Sequence, residues 1–223
     1  MTAVFVTGGT GYIGRPLIER LLASGHAVSA LARRGSESKL PAAAARIVGD
    51  ALDAMSYRDA VPGGATFIHL IGTPHPSPAK AAEFRRVDLA SIRAAVSVAA
   101  HARVRHFVYV SVAHPAPVMQ DYIAVRQEGE ALVTATGIQA TIVRPWYVLG
   151  PGHRWPYLLI PIYALLRWNP GSRATALRLG LVTREDMLAT LTEAVAAPCT
   201  AGVRVIEVPG ILAARRRRSR ALP

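Results

Sequence analysis

The sequence contains a single cysteine, Cys199, and no long uninterrupted apolar run. One cysteine cannot form a disulfide within the chain or a cluster of thiolate metal ligands, and we predict no metal site. This cysteine usage fits a reducing compartment without proving one. No apolar run reaches the roughly eighteen residues that a membrane-crossing helix needs, so no such helix is expected. No basic stretch precedes an apolar one at the N-terminus, and a signal peptide is therefore not expected.

Acidic residues are scarce as well. The chain has 14 Asp and Glu residues against 26 Lys and Arg residues, which gives a formal net charge of +12. A basic protein of this kind suits a polyanionic ligand or an acidic surface. Some of the positive charges lie close together at the C-terminus, at Arg215, Arg216, Arg217, Arg218 and Arg220. Such a run can bind the phosphates of nucleic acid or of an anionic membrane, but it is more often a solvated, disordered end.

Apolar segments alternate with helical patterns along most of the 223 residues, and 51% of the residues are hydrophobic. The chain is therefore long enough for one domain with a sizeable core. The apolar segments are near-continuous runs, which is typical of parallel strands buried on both faces. The predicted strands are 4–6, 27–32, 46–50, 65–71, 105–111, 140–145 and 204–208. The first predicted helix begins after residue 14, and the others cover 53–60, 79–102, 122–136 and 184–196.

A glycine-rich segment follows the first strand directly. Residues 7–14 read TGGTGYIG and lead straight into an apolar helix. Glycines let the backbone turn tightly and approach a ligand, while the N–H groups and the dipole at a helix start attract an anion. The order of strand, glycine turn and helix predicts a site for a dinucleotide pyrophosphate, although a tight turn without a ligand would use the same residues. Together with the alternating pattern, it predicts an α/β fold of the Rossmann type with a doubly wound parallel sheet.

Two arginines end the second strand. Arg33 and Arg34 lie about twenty residues beyond Gly14, where dinucleotide-binding folds carry the group that contacts the adenosine ribose. An acid at this place would bind a free 2′-hydroxyl, whereas an arginine accommodates a 2′-phosphate because its planar guanidinium forks onto phosphate oxygens. The pattern therefore favours NADP(H) over NAD(H), with a solvated basic turn as the alternative.

Three further segments bear on a ligand site. His69 lies within the fourth predicted strand, so we expect a packed or hydrogen-bonded core histidine rather than a ligand. Residues 72–78 contain three prolines, which exclude helix and sheet, and loops after the strands of such sheets line the ligand crevice. Residues 157–168 are unusually apolar and are interrupted by Pro161. They predict the wall or lid of an apolar substrate pocket, or else an interfacial segment that dips into a membrane.

The chain resembles the atypical and extended short-chain dehydrogenase/reductases from its N-terminus to about residue 210. The resemblance rests on the 7–14 motif, Gly49-Asp50 after the third strand, the strand that ends in Ser111, the helix that contains Tyr122, and Arg144-Pro145 leading to the 150–152 loop. Within this superfamily, the chain is most similar to the NmrA-like proteins and to the nucleotide-binding accessory subunit of respiratory complex I.

The resemblance divides the chain into three parts. Residues 1–148 would form an NAD(P)-binding Rossmann domain, 149–212 a small substrate-pocket or lid region that completes the same domain, and 213–223 a basic tail. We expect a cytoplasmic protein with a small-molecule substrate and no specific nucleic-acid partner. Peripheral contact with an anionic membrane is an additional hypothesis.

The resemblance also implies a cofactor site that several segments of the chain form together. Its residues would be the pyrophosphate loop Gly8, Thr10, Gly11, Tyr12, Ile13 and Gly14, the 2′-phosphate ligands Arg33 and Arg34, the adenine contacts Asp50, Ala51 and Leu52, and the ribose neighbours Leu70, Ile71 and Gly72.

For catalysis, the resemblance implies Ser111 and Tyr122, which occupy the positions of the family's serine and tyrosine. The family's Tyr-x-x-x-Lys pattern ends here in Arg126, with the helical spacing intact. Arginine keeps a permanent charge that could still favour a tyrosinate, but its wider fork makes the exchange non-conservative. Tyr122 would donate a proton, Ser111 would polarise the substrate oxygen, and Arg126 would position the cofactor ribose and tune Tyr122.

The leading hypothesis is an NADP(H)-dependent oxidoreductase that transfers hydride to or from a small apolar carbonyl or quinone-like compound. The alternative is a catalytically weak or inactive NADP(H)-binding protein, such as a redox sensor or an assembly factor. The arginine at position 126 motivates this alternative because it departs from the family pattern beside an intact phosphate loop.

Overall fold

The computed structural model describes residues 1–150 and 170–221, and it contains a seven-stranded parallel sheet. Its strands are β1 (Ala3–Thr7), β2 (Ala27–Ala32), β3 (Ala45–Val48), β4 (Thr66–His69), β5 (His106–Val110), β6 (Ala140–Arg144) and β9 (Val203–Glu207). The strand order is β3-β2-β1-β4-β5-β6-β9, so the direction of winding reverses at β1. All neighbouring strands are parallel. The predicted Rossmann-type fold is confirmed.

Both faces of the sheet are buried, which accounts for the continuous apolar runs of the sequence. On one face Phe5, Phe67 and Phe107 occupy adjacent register positions, and their ring centroids follow one another at 5.2 and 5.1 Å. On the other face Val4 and Ile68 belong to a second apolar cluster, which includes the buried side of the first helix. The sheet is therefore the middle layer between two apolar cores.

The α-helices of the described residues are α1 (Gly14–Ala23), α2 (Ala81–Glu83), α3 (Ala90–His101), α4 (Gln120–Ala135), α5 (Pro170–Arg178), α6 (Arg184–Ala196) and α7 (Val208–Ala221). The predicted helix 79–102 covers α2 and α3, which are joined by a π-helical segment, Phe84–Leu89. Such segments are rare and frequently lie at functional sites. The predicted helix 53–60 is instead two short 3₁₀ turns, Ala54–Ser56 and Arg58–Ala60.

The C-terminal part of the chain completes the main sheet. The last predicted strand is β9, which pairs with β6. A separate parallel pair, β7 (Tyr147–Leu149) and β8 (Leu181–Thr183), was not predicted from the sequence. The predicted apolar stretch 157–168 lies outside the described residues. So does the predicted loop 150–155, apart from its first residue. Within the described ranges, no helix is long and apolar enough to cross a membrane.

The basic C-terminus differs from the disordered end that the sequence favoured. Residues up to Ala221 continue helix α7, so the described part of the 213–223 segment is not separate from the domain. The helix forms because Ile211 and Ala214 are buried, and because Arg217 donates two hydrogen bonds of 3.1 and 3.0 Å to Glu193 on α6. Packing against α6 therefore orders residues whose local charge pattern indicated disorder.

His69, at the end of β4, is a hydrogen-bonded core histidine, as expected. Its Nδ1 lies 2.8 Å from the hydroxyl oxygen of Thr7, and its Nε2 lies 3.3 Å from that of Ser91. Burial, together with the nearby charge of Arg126, lowers the pKa of His69 from 6.5 to about 3. The folded protein therefore keeps this imidazole neutral over a pH range in which the unfolded chain is protonated.

We expect His69 to make the protein less stable as pH falls. The unfolded state takes up a proton near pH 6.5 and the folded state only near pH 3, so stability is complete above this window and is lost within it. Linkage gives a loss of about 2 kcal/mol between about pH 7 and about pH 5 from this group alone. Urea unfolding of His69→Gln should show a correspondingly smaller pH dependence, whereas the exposed control His101→Gln should keep it. Equal slopes in His69→Gln and the parent protein would contradict this account.

Candidate active site

The glycine-rich loop connects β1 to α1 at the place where the strand order reverses. Its turn is closed by a 3.1 Å hydrogen bond from the Gly11 N–H to the Gly8 carbonyl. A Cβ atom on Gly14 would lie 2.2 Å from the Gly8 carbonyl oxygen, so no other residue fits there without moving the backbone. Ligands of doubly wound folds bind in the crevice at this reversal. The loop is therefore built tightly at the expected cofactor position.

The start of α1 suits an anion. Ile13 caps the helix without a side-chain hydrogen bond, and the first turn contains no acidic residue. Such a terminus presents backbone N–H groups and the positive end of the helix dipole. Thr10 and Tyr12, also in the loop, are both partly buried. A dinucleotide pyrophosphate fits this donor set.

The other predicted cofactor residues follow β2, β3 and β4 at the same edge of the sheet. Arg33 and Arg34 are exposed in the turn after β2, and neither forms an ion pair with any described residue. Asp50 is exposed after β3, and its carboxylate accepts a 2.9 Å hydrogen bond from the N–H of Leu52. The half-buried Ala51 lies between them in sequence. These placements are compatible with contacts to an adenosine phosphate and an adenine edge.

The segment after β4 lies next to the glycine loop. The N–H of Leu70 donates a 3.1 Å hydrogen bond to the carbonyl of Thr7, the last residue of β1. Leu70, Ile71 and Gly72 are all partly buried. The structure thus brings the predicted ribose neighbours and the predicted phosphate loop together.

Arg126, on α4, is buried, and both of its terminal nitrogens donate hydrogen bonds to protein atoms. Its Nη2 donates to Asp88 at 2.7 Å, and its Nη1 donates to the carbonyls of Val110 and Ile71 at 3.1 and 3.3 Å. A Cβ atom on Gly72 would lie 2.2 Å from Nη2, so the loop passes directly over the guanidinium. Arg126 therefore connects α4 to the ends of β4 and β5.

Asp88 is the acidic partner that the sequence analysis missed. Its side chain is completely buried in the π-helical segment. Besides Arg126, it accepts hydrogen bonds from the N–H and the hydroxyl of Thr73 at 3.0 and 2.5 Å. A sequence signal existed, because Asp88 lies four residues after Phe84 and four before Ile92 on the apolar side of the predicted helix. An acid at such a position requires a buried partner.

Tyr122 lies in the first turn of α4, and its ring contacts Phe84 and Arg126. The centroid of its ring is 4.9 Å from that of Phe84 and 5.1 Å from the Cζ of Arg126. Burial alone would lower the pKa of Arg126, but the surrounding Tyr122, Tyr109 and Asp88 raise it above its usual value. The tyrosine ring therefore lies against a guanidinium that stays charged.

Ser111 directly follows β5 and is only 3% exposed. Its N–H donates to the carbonyl of Val143 at 2.8 Å, whereas its buried hydroxyl has no hydrogen-bond partner among the residues that the structure describes. Buried polar atoms in native proteins are normally satisfied, so an unpaired hydroxyl is available for a ligand oxygen. Ser111 is the first residue after β5, and Tyr122 lies on α4, the next helix along the chain.

These features define a dinucleotide-binding Rossmann domain. Residues 8–155 match the model of a family described as NAD(P)H-binding. The chain belongs to this NAD(P)H-binding family and is of the atypical short-chain dehydrogenase/reductase type. The NmrA-like subgroup stays a prediction.

Two curated relatives carry names of reductases. Ceramide reductase of Caulobacter vibrioides is 30% identical over 151 residues, which cover 67% of this chain and 47% of the relative. The 4-hydroxy-2-methyl-3-oxo-4-farnesyl-3,4-dihydroquinoline-1-oxide ketoreductase of Stigmatella aurantiaca is 29% identical over 168 residues, which cover 66% of this chain and 50% of the relative. The chain thus spans about half the length of these relatives.

Solved structures support the fold. A short-chain dehydrogenase/reductase superfamily protein from Agrobacterium tumefaciens with bound NAD aligns with a TM-score of 0.67 at 20% identity, covering 99% of this chain and 83% of that chain. The Bordetella bronchiseptica enzyme WbmH in complex with NAD+ aligns with a TM-score of 0.69 at 19% identity, covering 93% and 76%. At this identity, the similarity concerns the fold alone.

Replacing Gly14 with alanine should weaken nucleotide binding. The added methyl group collides with the Gly8 carbonyl and displaces the N–H groups around the turn. We expect the Kd for NADPH, measured by fluorescence titration, to rise at least about tenfold, or about 1.4 kcal/mol. Gly63→Ala is the matched control, because the nearest atom to its new methyl group would lie at an ordinary 3.6 Å. An unchanged Kd in folded Gly14→Ala would exclude the loop as the phosphate site.

Proposed function

We propose that the protein is an NADP(H)-dependent oxidoreductase that transfers hydride between the nicotinamide and a small apolar carbonyl or quinone-like substrate. The observation that carries this proposal is the buried hydroxyl of Ser111, which has no hydrogen-bond partner among the described residues and lies at the edge of the sheet where the glycine loop lies. Tyr122, at the start of the adjoining helix, supplies the second hydroxyl that such a reaction needs. Membership of the NAD(P)H-binding family supports the nucleotide.

The proposed reaction assigns cofactor binding and proton transfer to different residues. The glycine loop and the start of α1 would hold the pyrophosphate, and Leu70 to Gly72 would pass along the ribose. A bound NADPH supplies the hydride for the carbonyl carbon. Ser111 would donate a hydrogen bond to the carbonyl oxygen, and Tyr122 would transfer its proton to that oxygen as the C=O bond becomes an alcohol.

The names of the relatives favour an apolar, lipid-like substrate. One relative is named a ceramide reductase, and the other a ketoreductase of a farnesyl-bearing 3-oxo compound. Both names describe reduction, so we infer that NADPH-dependent reduction is the direction of the reaction in this protein.

Removing the hydroxyl of Tyr122 should abolish most of the turnover. With a ketone or quinone that the parent protein reduces, kcat of Tyr122→Phe should fall about 100-fold or more, because the proton donor is lost. NADPH affinity should stay the same. Tyr57→Phe, which removes a buried hydroxyl from a ring stacked on Phe5, is the control and should retain kcat. Full activity of Tyr122→Phe would rule out this mechanism.

The preference for NADP(H) rests on Arg33 and Arg34, which are exposed and unpaired within the described residues. In Arg33→Ala/Arg34→Ala, NADPH affinity should fall about tenfold or more, because charge-assisted hydrogen bonds to the 2′-phosphate are lost. NADH affinity should change little. Arg105→Ala is the control, since Arg105 precedes β5 at the opposite edge of the sheet and donates to Thr2. An equal loss for both nucleotides would contradict a 2′-phosphate site.

The alternative function is NADP(H) binding without turnover. The engagement of Arg126 with Asp88 favours it, because the cation beside Tyr122 is already paired. Calorimetric binding of NADPH, combined with no hydride transfer across a broad panel of ketones and quinones, would select this alternative. The cytoplasmic location and the membrane contact of the arginine-bearing α7 stay predictions.

A further inference from the structure

We propose that Asp88 is a positioning residue that neutralises Arg126 and fixes its guanidinium under the loop after β4. Tyr122 then lies beside a paired guanidinium rather than a free cation. The proposal rests on the proposed function of Tyr122. It differs from the role that the sequence suggested for Arg126, which was to hold the cofactor ribose and to tune Tyr122 directly.

The carboxylate of Asp88 has no unused oxygen. Oδ1 accepts from Arg126 at 2.7 Å, and Oδ2 accepts both hydrogen bonds from Thr73. All three contacts are buried. Asp88 thus fixes two things at once, the guanidinium and the loop that follows β4.

Both terminal nitrogens of the buried Arg126 guanidinium donate to protein atoms. Nη2 is bonded to Asp88, and Nη1 is shared among the carbonyls of Val110 and Ile71 and the hydroxyl of Tyr109, the last at 3.5 Å. Nε is buried and has no partner among the described residues. Protein atoms therefore hold Arg126 through both of its terminal nitrogens.

The charge around Tyr122 is set by a small group of residues. The titratable groups around Arg126 are Asp88, Tyr109, Tyr122 and His69. Asp121 directly precedes Tyr122 on α4 and is exposed. His69 is neutral because burial, with the charge of Arg126, lowers its pKa to about 3. Burial raises the pKa of Tyr109 despite the opposing effect of Arg126, so Tyr109 is neutral as well. Among the described residues, Asp88 and Arg126 thus form the buried ion pair beside the Tyr122 ring.

The pair decides how strongly Tyr122 feels a positive charge. An uncompensated cation this close favours the ionised form of an acid by about one to three pH units. The carboxylate of Asp88, 2.7 Å from Nη2 of Arg126, carries the opposite charge and opposes that field. Removing the negative charge of Asp88 should therefore make Tyr122 ionise at lower pH.

The test is a pH titration of tyrosinate absorbance in the ligand-free protein. The signal of Tyr122 is the difference between each protein and its Tyr122→Phe counterpart. In Asp88→Asn the Tyr122 titration should move to lower pH by about one unit or more, and the pH profile of kcat/KM should move in the same direction. Glu128→Gln is the control. Glu128 lies on α4, as Tyr122 does, but its carboxylate pairs with Arg93 at 2.6 Å near the surface. A titration that does not move in Asp88→Asn would overturn the proposal.

A second variant covers the case in which Asp88→Asn does not fold. Asp88→Asn/Arg126→Gln removes both charges and leaves no uncompensated ion in the interior. If the pair is electrically neutral toward Tyr122, this variant should titrate within about half a pH unit of the parent protein. A shift to higher pH by about one unit or more would mean that Arg126 acts as a free cation, and the proposal would be wrong.

Failure of this inference is distinguishable from failure of the proposed function. The titration needs neither nucleotide nor substrate. A protein without turnover but with a Tyr122 titration that depends on Asp88 retains the inference and loses the function. A protein whose turnover needs Tyr122 but whose titration ignores Asp88 does the reverse.

Discussion

The buried ion pair between Asp88 and Arg126 is the interaction on which the candidate site depends. Two charges taken out of water each lose several kcal/mol of hydration, and their attraction compensates only when the remaining hydrogen-bonding capacity is also satisfied. Here Thr73 donates to the carboxylate, and Nη1 of the guanidinium donates to the carbonyls of Ile71 and Val110. The pair and these partners together come from four segments, so the pair holds the loop after β4 and the end of β5 against α4 and the π-helical segment.

This arrangement explains how an arginine occupies a helix position at which the resemblance suggests a lysine. A guanidinium can bond several acceptors in a plane, whereas an ammonium is a compact point charge. Arg126 uses that capacity to connect backbone carbonyls at the ends of two strands. The same geometry leaves the ring of Tyr122 in contact with both the ring of Phe84 and the guanidinium. Arg126 thus contacts and positions Tyr122 while its own charge is paired with Asp88.

The glycine loop and the ion pair share one edge of the sheet for a topological reason. All strands are parallel, so all of them end at the same edge, and the reversal of strand order at β1 opens the crevice there. The C-terminal region contributes to this sheet through β9, while α6 and α7 pack on one another. The nucleotide half of the site therefore belongs to one continuous layer.

The sequence by itself determined the local features of this protein. Buried strands, the 7–14 loop and the exposed arginines after β2 were all predictable, because periodicity, glycine sterics and helix-start electrostatics act between neighbours along the chain. His69 was correctly assigned to the core from its place within a strand. Resemblance supplied Ser111, Tyr122 and Arg126 as candidates, without their surroundings.

Only the tertiary structure decided which charges are paired. Asp88 and Arg126 are distant in sequence, and their attraction and shared desolvation exist only after the sheet has brought their helices together. The same holds for the C-terminus, where burial of Ile211 and contact of Arg217 with Glu193 turn a basic run into a helix. Interactions of this kind depend on distance in space and on exclusion of water, and neither can be read from the order of residues.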